Sequence, residues 1–149
     1  MRWLKLLPVV LFFSALGAES ATAKIIKVLP HLLDRDGRHT LSPSLYERDA
    51  YQAFLRKHPD QCSGLRFDIQ WKAKRVVGTR LLLRLEIRGS KEAKPVLSER
   101  PARPDHGYRR WSSLRVDGDA YQKVGEVIAW RATLWEDDRL LAEQKSFLW

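Results

Sequence analysis

The chain has 149 residues, a single cysteine and a formal net charge of +9, with 30% of its residues charged. That length suits one ordinary domain. Cys62 has no partner within the chain, which excludes an internal disulfide and leaves packing alone to hold the fold. The positive charge favours solubility and anionic partners and carries no information about fold.

The N-terminus has the three parts of a secretory signal. Arg2 and Lys5 give a positive start, Leu6 to Leu16 an apolar stretch broken by Pro8 and Ser14, and Ala21-Thr22-Ala23 a small-residue cleavage pattern. Ala18-Glu19-Ser20 is the second choice of cleavage site. The apolar stretch is too short to cross a hydrocarbon core of about 30 Å as a helix. No later stretch reads as a transmembrane helix, and no cysteine near the cleavage region offers a lipoprotein anchor. The expectation is therefore a signal peptide over residues 1–23 and one mature domain over 24–149, periplasmic or extracellular. Loss of Arg2, Lys5 and Glu19 takes the formal charge to +8.

The mature sequence opens with a strand at 24–33, in which Pro30 predicts an edge position or a bend. Asp34-Arg35-Asp36-Gly37 is a turn signal. A helix follows at about 44–58. Ser44 and Glu47 form a capping box, Tyr46, Ala50, Ala53 and Phe54 share an apolar face, Arg56, Lys57 and His58 suit the C-terminal dipole, and Pro59 stops it.

Alternation with a period of two then takes over. Leu65, Phe67, Ile69, Trp71 and Ala73 point one way, opposite Arg66, Asp68, Gln70 and Lys72. Residues 74–78 form a turn. Leu81, Leu83, Leu85 and Ile87 make the next apolar face, with Arg80, Arg84, Glu86 and Arg88 opposed to it. These two strands are expected to form a hairpin. The segment 89–107, with its prolines, holds at most a short edge strand at Val96–Glu99. Strands return at Tyr108–Val116, at Val127–Trp135, whose apolar faces suggest a central position, and at Arg139–Leu148. Trp71, Leu83, Leu85 and Trp130 are expected in the core. About seven strands at this spacing resemble an antiparallel β-sandwich of the immunoglobulin or fibronectin type III kind over roughly residues 60–149, with one helix inserted after the first strand. Tyr121 stands before the penultimate strand, where such folds often place a corner tyrosine.

Catalytic and metal motifs are missing from the pattern. His31, His39, His58 and His106 lack metal-ligand spacing, although His31 and His39 flank one turn and could meet across it. In a calcium-loop register, Asp34-x-Asp36-Gly37 would place Leu32 and Pro43 at ligand positions, so it reads as a turn. No G-x-S-x-G motif occurs. Cofactors and metals are not expected. A hydrolase built on two distant carboxylates is the weakest of three functional readings.

The leading reading is an exported, non-catalytic accessory or binding module of the cell envelope. Its rival is a binder of anionic polymer, glycan or acidic protein through Arg66, Lys72, Arg80, Arg84 and Arg88 on one face of the expected hairpin. Lys74 and Arg75 would sit at its tip, with Arg109, Arg110 and Arg115 on a later strand. No nucleic-acid motif is present. Among the tryptophans, Trp111, Trp135 and Trp149 are less constrained than Trp71 and Trp130, and an exposed one could stack on a sugar ring. Phe147 and Trp149 give the last strand an aromatic end like that of outer-membrane barrels, but too little chain remains for a barrel.

Overall fold

A computed structural model describes residues 21–74, 76, 80–103 and 108–149. Residues 1–20 of the expected signal, Arg75 and Gly78 of the expected turn, and His106 lie outside the described residues. Seven strands are described: β1 (Thr22–Asp34), β2 (Cys62–Lys74), β3 (Leu81–Gly89), β4 (Val96–Ala102), β5 (Arg110–Asp117), β6 (Val127–Glu136) and β7 (Arg139–Lys145). Two helices accompany them, α1 (Leu45–Lys57) and α2 (Gly118–Val124). All neighbours pair antiparallel, in a three-stranded sheet of order β1-β2-β5 and a four-stranded sheet of order β4-β3-β6-β7.

The period-two faces pack the sheets together. Leu65, Phe67, Ile69, Trp71 and Ala73 of β2 are buried against Leu81, Leu83, Leu85 and Ile87 of β3 and Ala132 and Leu134 of β6. Each such side chain contributes about 1.5–3 kcal/mol on full burial. A surface ion pair contributes about 0–1 kcal/mol, so this cluster holds the sandwich without a disulfide. The indole Nε1 of Trp71 donates to Oγ of Ser112 at 3.0 Å, which satisfies its one polar atom inside the core. Trp130 is only half-buried and meets Phe67 edge-on at 6.3 Å, a correction to its expected full burial. It lies towards the end of the sheet, at the Ile87 register.

β1 is an edge strand, as Pro30 requires, with an irregularity between Ile25 and Lys27. β6 is internal, as its apolar faces suggest. β2 and β3, however, do not form a hairpin: they belong to different sheets. Sequence adjacency and matching alternation look alike whether two strands pair side by side or face each other across a core, and here the apolar faces meet across the core. β4 extends to Ala102, through Pro101, because it too is an edge strand that needs no donor there.

Ser44 caps α1 by accepting from the Glu47 amide. The face that docks is not the apolar one read from spacing. Tyr46 is 84% exposed and Phe54 40%, whereas Gln52 and Leu55 are buried. Gln52 accepts from the Leu32 amide at 2.8 Å and donates to the carbonyls of Leu32 and His39 at 2.9 and 2.8 Å. These bonds to an edge strand and a loop fix the helix on the outer side of β1, where Leu33 and Leu55 are buried outside the inter-sheet cluster. α2 follows β5 directly. It buries Val124 beside Gly89, where a Cβ would stand 1.8 Å from the Val124 carbonyl oxygen.

Candidate functional site

The five basic residues singled out by alternation are divided by the sheet topology. Arg66 and Lys72 lie on the outer side of β2, and Arg84 and Arg88 on the outer side of β3, facing opposite sides of the sandwich. Arg80 precedes β3, its amide donating to Oδ1 of Asp137 at 3.0 Å. The shared face therefore does not form, because the two strands are not neighbours. Several of the guanidiniums also have internal work. Arg84 donates to Oε1 of Glu99 at 2.6 Å and lies 5.3 Å from the Trp135 ring. Arg88 lies 4.2 Å over the Trp149 ring. Arg66 bonds Oδ1 of Asp68 at 2.9 Å and Oγ of Ser113 at 3.1 Å. On the same outer face as Arg84, Arg131 bridges to Glu86 at 3.7 Å and to Glu143 at 2.7 Å. Such pairing is what a sheet needs to keep a charged outer face in water.

Asp68 is the centre of a polar cluster on the outer side of the three-stranded sheet. Besides Arg66 it accepts from the Ser113 hydroxyl, and Nε2 of His31 lies 3.5 Å from its Oδ2. The His39 ring stands 5.1 Å from that of His31, so the two histidines do meet. Both titrate below the ordinary value of 6.5. Burial is the main cause; Arg66 and Arg48 add to it, and Asp68 works against it. The imidazole faces the carboxylate and so does the hydroxyl. Asp68 stands between His31 and Ser113. Among the described residues, no group of three His, Cys, Asp or Glu side chains is arranged to hold a metal ion.

Cys62 is a free, half-buried thiol against the carbonyls of Leu55 and His58. Burial, then the charges of Asp60 and Asp34, push its pKa up, so it stays protonated and weakly nucleophilic. Tyr121 lies near it, and burial, then the neighbouring Cys62, push the Tyr121 hydroxyl up.

Two open depressions are marked out by the residues that line them. The larger, about 460 Å³, is lined by Lys91, Glu92, Asp119, Gln122 and Lys123, whose charges cancel. The other, about 260 Å³, lies where the edges of β4 and β5 meet. Its charged lining is Arg100, Arg103 and Arg110, with no carboxylate among the described residues, and its aromatic lining is Trp111 and the edge of Trp71. Trp111 is 52% exposed, whereas Trp71 belongs to the core. Arg100 is held in place by donating to the Ser113 carbonyl at 3.0 Å, one of the bonds that bring the two edges together. Of these two depressions it is the one whose lining has a chemical bias.

Arg110 and Trp111 were visible in the sequence as a basic residue and a less constrained tryptophan. Arg100 and Arg103 were not singled out, because they lie in a proline-rich segment with no alternation to give them a face. No family model, no curated protein and no solved structure matches the chain.

Proposed function

We propose that the chain is an exported, non-catalytic binding module of the cell envelope that takes an anionic ligand at the cleft between β4 and β5. The observation that carries this is the cleft's lining, where Arg100 and Arg103 stand with a half-exposed tryptophan, Trp111. Guanidiniums bind carboxylate, sulfate and phosphate through paired, charge-assisted hydrogen bonds. The rows on the strand faces are engaged with acids and rings, which suits them to the fold rather than to a ligand.

The fold supports the same assignment. With the strands lettered A to G, β1, β2 and β5 make an ABE sheet, while β3, β6 and β7 make a CFG sheet that gains β4 at its edge. An immunoglobulin constant-type sandwich keeps its fourth strand with A, B and E. The place of that strand on the other sheet favours a fibronectin type III-like reading, with α1 inserted between the first two strands. Such modules present ligands at loops and edges on a rigid core.

Export rests on residues 1–23. Cleavage after Ala23 removes the first two positions of β1, among them Ala23, which packs at the margin of the core, and leaves Lys24 opposite Lys72 as the first pair. The test has two parts. Protein recovered from the periplasm or medium should begin at Lys24. It should be retained on heparin at low salt and released as salt rises, because exposed charges are screened over roughly 8–10 Å at 0.1–0.15 M. Soluble cytoplasmic protein starting at Met1 would contradict export. Passage through heparin unretarded at low salt would contradict anion binding.

A further inference from the structure

We infer that the β4–β5 cleft takes one acidic sugar residue of a glycan chain, its ring against Trp111 and its carboxylate or sulfate on Arg100 and Arg103. This rests on the anionic-ligand reading above and adds the chemical class of the ligand.

The argument starts from the tryptophan. A purely electrostatic site for phosphate chains needs guanidiniums and has no use for an indole. Yet Trp111 stands 52% exposed on an edge strand and is among the residues that line the cleft. The large indole of the same cleft that the fold requires is Trp71, which is 1% exposed and hydrogen-bonded to Ser112. An exposed indole beside cations suits a ligand with an apolar face and a charged edge. A sugar ring bearing a carboxylate or sulfate has both: C–H groups on one face, oxyanion at the rim. A nucleotide would also stack, but it carries its charge on phosphate and its flat face on the base.

The size agrees. About 260 Å³ is slightly below the usual range for small-molecule pockets. It fits a single ring whose neighbours in a chain run out over the open surface. Arg100 is also set for the role. One of its nitrogens is fixed on the Ser113 carbonyl, and four N–H groups of the five on a guanidinium remain for an oxyanion. A guanidinium already held in place loses less freedom when it binds.

The experiment uses the mature chain and four probes: a heparin oligosaccharide, an oligogalacturonate, a neutral oligosaccharide of equal length, and inorganic polyphosphate. Affinity is read by calorimetry for the native protein, Trp111→Ala, Trp111→Phe and the double variant Arg100→Ser with Arg103→Ser. Circular dichroism confirms that each variant is folded. We expect at least one acidic oligosaccharide to bind at least about tenfold more tightly than the neutral one. Trp111→Ala should weaken that acidic sugar about tenfold, and Trp111→Phe should weaken it less, because a ring remains. The double arginine variant should weaken the sugar and the polyphosphate together, whereas Trp111→Ala should leave polyphosphate affinity unchanged. Equal binding of the acidic sugar by native protein and Trp111→Ala would overturn the sugar assignment while leaving anion binding standing. Loss of polyphosphate affinity in Trp111→Ala would overturn it as well. Failure of every anionic probe to bind the native protein would overturn both readings at once.

Discussion

The hydroxyl of Tyr51 donates to Oδ2 of Asp34 at 2.6 Å, joining the middle of α1 to the last residue of β1. Asp34 also accepts from the amides of Asp36 and Arg38 and from the Arg38 guanidinium, so one carboxylate organises the turn that leads to the helix. A hydrogen bond to a charged group is worth about 1.5–3 kcal/mol. Tyr51→Phe removes it and keeps the ring, and should lower stability by about that amount in a urea melt. A loss below about 0.5 kcal/mol would mean that the helix is held by Gln52 and Leu55 alone.

Acid should weaken the protein in two stages. The first belongs to His31 and His39, whose folded pKa values lie below the ordinary 6.5, chiefly through burial. Around them stand Arg66 and Asp68 from β2, Arg48 from α1 and Arg115 from β5. Because the folded state binds their protons less readily than the unfolded state, stability is full above about 6.5 and falls as pH drops towards the folded values. The second stage belongs to Asp34. Burial pushes its carboxyl up, but the bonds from Tyr51 and Arg38 outweigh that and hold it below its ordinary 3.8. Its contribution is present above that value and is lost as pH falls through the folded one. Urea melts from pH 8 to about pH 2 should show both declines, and His39→Gln should flatten the first. Stability that rises between pH 7 and pH 5 would contradict the account.

Trp71→Ala should cost about 3–5 kcal/mol, the range for removing a fully buried aromatic side chain. Ser112→Ala leaves the indole N–H of Trp71 without its partner and should cost about 1–3 kcal/mol. Trp130→Ala should cost less than Trp71→Ala, because Trp130 is only half-buried. Equal losses for the two tryptophans would place the core differently.

Gly89→Ala tests the packing of α2. The added methyl meets the Val124 carbonyl, which is backbone and cannot rotate away. Overpacking of this kind costs about 1–3 kcal/mol and occasionally more. An unchanged thermal midpoint would show that α2 does not sit against the end of β3.

The sequence was most informative where one physical signal acts alone. Period-two alternation located β2 and β3 and their buried faces, and the Ser44–Glu47 box with Pro59 located α1 to within a residue at each end. Pairing was harder to read. Leu65–Ala73 and Leu81–Ile87 show the same alternation whether they are neighbours in a sheet or opposed across a core, and the hairpin expectation chose wrongly. The docking face of α1 was misread for a related reason. A polar residue, Gln52, makes three backbone bonds that hydrophobic spacing cannot register. The cleft was half visible: Arg110 and Trp111 stood out, whereas Arg100 and Arg103 acquire their meaning only when β4 lies beside β5.

The most direct test of the central claim compares two variants with the same loss of charge. One is Arg100→Ser with Arg103→Ser, in the cleft; the other is Arg84→Ser with Arg88→Ser, on the outer face of β3. Both are run with the native protein on heparin across a salt gradient. The account predicts that the cleft variant elutes at clearly lower salt, while the face variant elutes close to the native protein. Equal shifts for the two would contradict it, because binding would then follow total charge and no site would exist between β4 and β5.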